Sequence, residues 1–522
     1  MFIYIGVCVK IFIRSRKFTN NFETLLHYFG DAGLVVGLVI LLPIFVAFIY
    51  KEYEFVFPFF IVGVSTIFVS LILIHFCKRK SEMTLKLSMY LAVFLWLYFA
   101  LIAAFPYFIS GELSFLNAYF EAMSGLTTTG YSMFPDTGAI PYTINFWRGF
   151  TQWFGGLGII FMVLSLMQVA GNDVTPLYQA EGRNERIFPS IRHTTKLMLV
   201  FYLCFTAVGI ICFIIAGMPV FDSVFYTFTA LSGGGFATSN NSIFQYDSFR
   251  IEVVAMVLMI LGATNFNLHF MVFKGHIKEY FKDIETKVFL TVLIVSTLFL
   301  TILLLNNHVY GASIFENFRF ALFQVVSAIT TTGLQTSFPA QLHQGYYAIG
   351  TLVLTIIMII GAGTGSTGGG IKWYRIGVMV KSIKIQILHL LKPSKAIVHA
   401  KYYHLKKHVI TDKIMKNTLM FILIYLIVFV LSTMIVLIYY NDFSGVLFEI
   451  ASAMGNVGLS DGLMTYQSPS ITKIVYIIDF WIGRLEIWPV LIVIYSILRK
   501  FKKVGRTVEK EEKVEIKKLE NK

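Results

Sequence analysis

Ten stretches of the chain are apolar for close to twenty residues at a time: 33–50, 56–76, 86–109, 145–170, 197–217, 251–273, 288–305, 346–361, 417–439 and 473–498. A helix needs about 20 such residues to cross a bilayer, so the pattern predicts ten spans. The first thirteen residues are apolar too, but they are interrupted by Lys10 and too short to cross. They lack a small-residue cleavage site and read as an interfacial stretch rather than a signal peptide.

Four connections, 110–144, 218–249, 306–344 and 440–471, each hold an apolar run of about a dozen residues ending in a glycine cluster. A run of that length is too short to span. Irregular backbone at membrane depth survives only where protein buries it or it lines a watery cavity. Each connection therefore reads as a re-entrant helix followed by a loop.

The four clusters align without gaps as SGLTTTGYS (124–132), TALSGGGFA (229–237), SAITTTGLQ (327–335) and SAMGNVGLS (452–460). Gly130, Gly235, Gly333 and Gly458 coincide, each followed by a bulky apolar residue (Tyr131, Phe236, Leu334 or Leu459). Six residues before the glycine stands Ser124, Thr229, Ser327 or Ser452, and ten before it stands Phe120, Phe225, Phe323 or Phe448. A unit of helix, re-entrant helix, glycine loop and helix thus occurs four times.

The expected fold is an all-α integral membrane protein of ten transmembrane helices. Four of the five helix pairs form pseudo-fourfold helix–pore helix–helix repeats around one pore. The divisions are an interfacial or cytoplasmic segment (1–30), two extra membrane helices (31–84) and four repeats (85–171, 195–274, 286–392 and 414–500). A charged tail (501–522) follows.

Composition agrees. The chain of 522 residues is 57% apolar and 14% charged, too few charges to clothe a soluble domain, which carries about 25%. Its formal net charge of +14 would suggest nucleic acid in a soluble protein, but the bases sit where membrane spans end. Residues 372–416 hold eleven Lys or Arg against Asp412, and the tail from Arg499 holds ten against five Glu. The four re-entrant connections hold nine acids against Arg319. The excess of bases marks the cytoplasmic side, placing both termini there and the acidic connections outside. Cys8, Cys77, Cys204 and Cys212 form no CxxC and read as small core residues.

Glycine reaches φ > 0 and lets consecutive carbonyls point one way, and a ring of such carbonyls can replace the hydration shell of a monovalent cation. The candidate ion ligands are Thr128, Thr129 and Gly130; Gly233, Gly234 and Gly235; Thr331, Thr332 and Gly333; Asn456, Val457 and Gly458. No carboxylate stands in these columns, which argues against a divalent-cation ring. The alternative is that the glycines only allow close helix packing.

The eighth stretch breaks into GAGTGSTGGG (361–370) and continues as an amphipathic segment bearing Lys372, Arg375, Lys381 and Lys384. Such a sequence does not hold a helix, so it reads either as an intramembrane interruption or as a helix end with a flexible link. Gly363, Gly365 and Gly368 satisfy GxGxxG. However, a membrane helix rather than a strand precedes them and the next acid is Asp412, so no dinucleotide site is expected. Arg484 lies within the last stretch, where an unpaired charge costs about 2.5–3.5 kcal/mol. It reads as functional, as a pair with Glu486 or Asp479, or as snorkelling to the interface. His269 reads as a packed hydrogen-bonding residue. Residues 171–196, with Glu181, Arg183, Glu185, Arg186 and Arg192, read as a solvated loop or part of a docking surface.

With the four loops, WRGFTQWFGGLGII (147–160), GATNFNLHF (262–270), GAGTGSTGGGIK (361–372) and GRLEIWP (483–489), the chain resembles the TrkH/KtrB superfamily of potassium uptake proteins over about residues 30–500. Two helices ahead of the first repeat favour the TrkH branch. The fourth loop, GNVGLSDG, departs from that branch's pattern.

The resemblance implies K⁺ as the transported ion, no organic cofactor, and a filter at the twelve residues above. It implies a gate at Gly363, Gly365, Ser366, Thr367, Gly368, Gly369 and Gly370, with Arg484 reaching the pore beneath the filter. It also implies a homodimer in the lipid of the cytoplasmic (inner) membrane and a TrkA-like cytosolic nucleotide-binding ring. A Na⁺-coupled or weakly selective transporter of the same build is the competing reading. An enzyme is not expected, since HExxH, paired-Asp and GxSxG motifs are all missing from the sequence.

Overall fold

The computed structural model describes residues 16–158, 191–336, 347–391 and 401–499. The interfacial stretch at the start, most of the 171–196 loop and the charged tail lie outside them. Six helices among the described residues are long and apolar enough to cross a membrane, seven when one bent pair counts as a single span.

The chain opens with α1 (Arg16–Ile40), α2 (Pro43–Tyr50), α3 (Val56–Phe76) and α4 (Leu85–Ile109). Helix α1 begins well before the expected boundary at residue 30. The stretch 33–50 is divided because Pro43 has no N–H to give. Around it the backbone tightens to i→i−3 bonds, Leu41 to Leu38 (3.2 Å) and Leu42 to Val39 (3.1 Å). Helices α1 and α3 meet through small residues. A Cβ on Gly37 would lie 3.1 Å from the Gly63 carbonyl, and one on Gly63 3.1 Å from that of Gly37. Such mutual approach is how membrane helices gain packing energy without a hydrophobic drive. The other face of α3 exposes Phe57, Phe60, Phe68 and Phe76, as a lipid-facing surface does.

Next come α5 (Phe115–Leu126), α6 (Tyr142–Gly156), α7 (Ile191–Ile215), α8 (Val220–Ser232), α9 (Phe249–Ala263) and α10 (Phe266–Phe273). The expected single span at 251–273 is instead bent by 105° between α9 and α10. Asn265 causes the restart: it leaves the helical region and its side chain accepts from the Asn267 N–H at 2.9 Å, as an N-cap does.

The chain continues with α11 (Ile277–Lys282), α12 (Ile284–Asn306), α13 (Ile314–Ile329), α14 (Tyr347–Ile360) and α15 (Trp373–Leu391). A hairpin follows, β1 (Lys401–His404) and β2 (Lys406–Val409), paired antiparallel with Tyr402 opposite His408. The sequence pattern did not anticipate it. The chain then runs through α16 (Asp412–Leu437), α17 (Phe443–Gly455), α18 (Ser470–Leu485) and α19 (Trp488–Arg499). The last expected span, 473–498, is broken at Glu486 and Ile487, both at positive φ (59° and 57°).

Two smaller expectations are corrected. Cys204 is exposed, and Cys77 and Cys212 are half-buried; an apolar thiol on a lipid-facing surface needs no core. Lys372 does not share the polar face of α15: it is buried and donates to the Gly368 carbonyl.

Candidate functional site

The four short helices α5, α8, α13 and α17 end alike. Thr128, Gly233, Thr331 and Asn456 adopt left-handed φ values of 56°, 70°, 55° and 52°. The next N–H in each, of Thr129, Gly234, Thr332 or Val457, donates back to the carbonyl of Ser124, Thr229, Ser327 or Ser452 at 2.8–3.0 Å. This is the Schellman ending of a helix. A β-branched threonine is strained there, at about 1–3 kcal/mol per residue, so two of the four caps store strain beside the glycines.

The aligned glycines follow, Gly130, Gly235, Gly333 and Gly458, at φ of 97°, 74°, 90° and 92°. The serine column has its reason here. Ser124 Oγ accepts from Gly130 N (3.1 Å), Ser327 Oγ from Gly333 N (3.1 Å) and Ser452 Oγ from Gly458 N (2.9 Å). Thr229 serves the second loop through its carbonyl instead, accepting from Gly235 N at 3.4 Å.

The loops touch in a closed cycle. A Cβ on Gly130 would collide with the Gly234 carbonyl, on Gly235 with that of Thr332, on Gly333 with that of Val457, and on Gly458 with that of Thr129. Each loop meets the same position of the next, and the fourth returns to the first. Eight of the twelve expected ligand residues, the four glycines and the residue before each, thus meet in one cycle. The Phe column, Phe120, Phe225, Phe323 and Phe448, is buried behind them.

Side chains that sequence reasoning missed hold this ring. Glu121, buried one residue after Phe120, accepts from Ser132 Oγ (3.2 Å) and the Met133 N–H (2.6 Å). It pairs with buried Arg148 at 2.8 Å. Arg148 also donates to Ser132 Oγ (3.0 Å) and to the Ala237 carbonyl (3.1 Å), so one guanidinium joins the first two loops. Glu449, in the same place in the fourth repeat, accepts from Ser460 Oγ at 2.6 Å. Gln152, one turn after Arg148, accepts from Phe236 N (3.1 Å) and donates to the Gly234 carbonyl (2.6 Å). A charge inside an apolar span is the signal that would have found Arg148.

Breaking a buried ion pair strands the other charge, at a cost of about 3–5 kcal/mol. We expect Glu121→Ala to lower the thermal midpoint of the purified protein in detergent. A second change, Arg148→Met, should recover part of the loss. An unshifted midpoint for Glu121→Ala would show that the pair braces nothing.

Beneath the ring, α14 stops at Gly361 (φ 74°) and the chain is non-helical to Lys372. The bend at Asn265 leaves the last carbonyls of α9 without helical partners, and the glycine loop supplies them. Gly363 N donates to Ala263 O (3.0 Å) and Thr367 N to Gly262 O (3.2 Å). The same loop underlies three of the four helix caps. Gly369 N donates to Thr331 Oγ1 (3.1 Å). A Cβ on Gly369 would lie 2.7 Å from Asn456 Oδ1, and one on Gly233 3.5 Å from Thr367 Oγ1. Ser366 Oγ donates to Gly363 O (2.6 Å), and Gly365 and Gly370 sit at φ 64° and 78°.

Arg484 closes the fourth quadrant. It donates to Thr128 Oγ1 (3.2 Å), the Thr367 carbonyl, and the Gly155 (2.7 Å) and Gly156 (3.4 Å) carbonyls. The acids nearest it in sequence have other partners: Asp479 accepts from Ser432 (2.7 Å), and Glu486, just past the helix end, pairs with Arg375 (2.5 Å). His269 packs as expected, its Nε2 2.9 Å from the Leu261 carbonyl.

The family model of TrkH, a cation transport protein, matches residues 56–502. An uncharacterised cation transporter of Methanocaldococcus jannaschii is 31% identical over 497 residues, covering 95% of this chain and 98% of its own length. The Trk system potassium uptake protein TrkH of Vibrio parahaemolyticus is 29% identical over 498 residues, with 91% and 98% covered. The crystal structure of the potassium transporter TrkH from that organism aligns with a TM-score of 0.80 at 27% identity, covering 90% of this chain and 98% of that one. Fold, matched length and identity agree: the chain belongs to the TrkH family of cation transport proteins, membrane ion transporters and not enzymes.

Proposed function

We propose that the protein takes up K⁺ through a gated, selective pore at the centre of the four-loop ring. The observation that carries this reading is the closed cycle in which each filter glycine abuts the preceding residue's carbonyl in the next loop. Four left-handed glycines at equivalent positions suit backbone carbonyls turned toward a common axis, where they replace the water around a K⁺ ion. The ion-binding positions are those of Thr128–Gly130, Gly233–Gly235, Thr331–Gly333 and Asn456–Gly458.

The reading includes ten spans in pseudo-fourfold repeats at 85–171, 195–274, 286–392 and 414–500, with residues 31–84 preceding them. Both termini are cytoplasmic, in line with the basic segments at 372–416 and after residue 499. The glycine loop with Arg484 is the gate: it lies under every cap of the ring, and its flexible backbone allows it to leave. The protein acts as a homodimer in the cytoplasmic membrane, and a TrkA-like cytosolic nucleotide-binding ring bears on the basic face to set the gate.

Uptake of radioactive Rb⁺ into proteoliposomes holding the purified chain tests this. Uptake suppressed by K⁺ and untouched by equal Na⁺ is the expected result. Equal suppression by both ions would favour a weakly selective pathway. If flux stays absent even after the cytosolic ring and nucleotide are added, the pore reading fails.

A further inference from the structure

Asp283, Glu285 and His404 lie together, all buried, each with a donor atom within 4.8 Å of the other two's. They come from two elements far apart in sequence. Asp283 is the N-cap of α12, Glu285 sits in that helix's first turn, and His404 ends β1. We propose that they form a binding site for a divalent transition-metal ion of the Zn²⁺ class.

The donor set favours such an ion. An imidazole with two carboxylates suits Zn²⁺ and its neighbours, whereas Mg²⁺ and Ca²⁺ prefer oxygen alone. The spacing agrees. His404 Nδ1 pairs with both carboxylate oxygens of Asp283 at 3.2 Å, the long end of the N–H···O range. Two donors about 2.1 Å from a shared ion, at tetrahedral or octahedral angles, stand about 3.0–3.4 Å apart.

The carboxylates are also oriented as metal ligands usually are, by hydrogen bonds from backbone N–H groups and a hydroxyl. Asp283 accepts from the N–H groups of Glu285 and Leu405, both at 2.9 Å. Leu405 is the hairpin's turn residue at φ 56°. Glu285 Oε1 accepts from the N–H and the hydroxyl of Thr364, both at 2.8 Å.

Thr364 belongs to the glycine loop, so the site has a mechanical consequence that rests on the gate reading above. An ion that draws Glu285 toward Asp283 and His404 pulls on the loop through Thr364. It also fastens the hairpin to the start of α12. The ion's occupancy therefore biases the loop's position from the hairpin side.

The test uses the full chain, purified in detergent without a polyhistidine tag. Co²⁺ serves as the probe because its visible absorption reports coordination. We expect one saturable Co²⁺ per chain, with absorption bands that Zn²⁺ abolishes. His404→Asn keeps a donor facing Asp283 but removes the imidazole, and should weaken Co²⁺ binding tenfold or more. His404→Cys should restore Zn²⁺ binding, which separates lost ligation from lost folding. No saturable Co²⁺ in the parent, or unchanged affinity in His404→Asn, overturns the site.

In proteoliposomes, Zn²⁺ should alter Rb⁺ uptake by the parent and not by His404→Asn. Co²⁺ binding with no Zn²⁺ effect on measurable uptake keeps the site and overturns its link to the loop. Co²⁺ binding in a chain that carries no Rb⁺ under any condition counts against the transport reading and leaves the site standing.

Discussion

Replacing Gly458 by serine is expected to cut the preference for K⁺ over Na⁺ about tenfold, measured as competition with Rb⁺ uptake in proteoliposomes. Two features act together at this position. The glycine holds φ 92°, and a Cβ there would collide with the Thr129 carbonyl of the first loop. Forcing a side chain into such backbone costs about 1–3 kcal/mol. The native geometry can be relieved only by turning the Thr129 and Gly458 peptides, because α17 and the Ser452 hydroxyl hold the loop from behind. A tenfold loss is about 1.4 kcal/mol, within that strain. Gly130→Ser should behave alike, since its Cβ would meet the Gly234 carbonyl, which Gln152 also binds. Intact discrimination in both variants would remove the filter assignment.

The ring was legible because its parts repeat. Four copies of one unit must share a backbone conformation, and glycine at a fixed place betrays it without any knowledge of the partners. The serine column was visible too, though its purpose, a hydroxyl accepting from the glycine N–H, needed coordinates. The closing of the cycle was not legible. That each loop touches the next depends on segments about a hundred residues apart, and no local pattern encodes such contacts.

The same limit explains the other surprises. Residues 251–273 are mostly apolar, so their pattern says one helix, yet the end of α9 and the start of α10 are held by a loop a hundred residues later. Only Thr264 and Asn265, a cap pair inside an apolar run, hinted at the break. Lys372 looked like one more base on an amphipathic helix, but its φ of 88° and its bond to Gly368 turn it inward. Arg148 was passed over because it sits within a run of aromatics, and its partner Glu121 lies in a different helix.

Seen together, Lys372 and Arg484 place two cations on the glycine loop, one binding the Gly368 carbonyl and the other that of Thr367. Adjacent carbonyls of a loop with no helical hydrogen bonds of its own are thereby held from opposite ends. A segment so rich in glycine loses much conformational freedom on ordering. Its position under the caps therefore depends on a few bonds, the backbone ones to Ala263, Gly262 and Thr331 and these two side-chain ones.

That dependence sets the second large effect. Arg484→Ala should raise Rb⁺ uptake by the chain alone about tenfold or more. A hydrogen bond to a charged group contributes about 1.5–3 kcal/mol, and the bond to the Thr367 carbonyl joins α18 directly to the loop. Losing one such tie between two positions of a gate shifts their balance by about ten- to a hundredfold. The change also takes a positive charge from under the ring, which lowers the electrostatic barrier to a cation leaving the filter. Arg484→Lys tells the two contributions apart. Lysine retains the charge but cannot reach Thr128, Thr367 and Gly155 at once, because it lacks the guanidinium fork. Uptake in the lysine variant close to that of the alanine variant makes the tie dominant; uptake close to the parent makes the charge dominant. If both variants are well folded by size-exclusion profile and carry Rb⁺ no faster than the parent, Arg484 does not lock the gate. Its four bonds then serve only to pack α18 against α6, the first loop and the glycine loop.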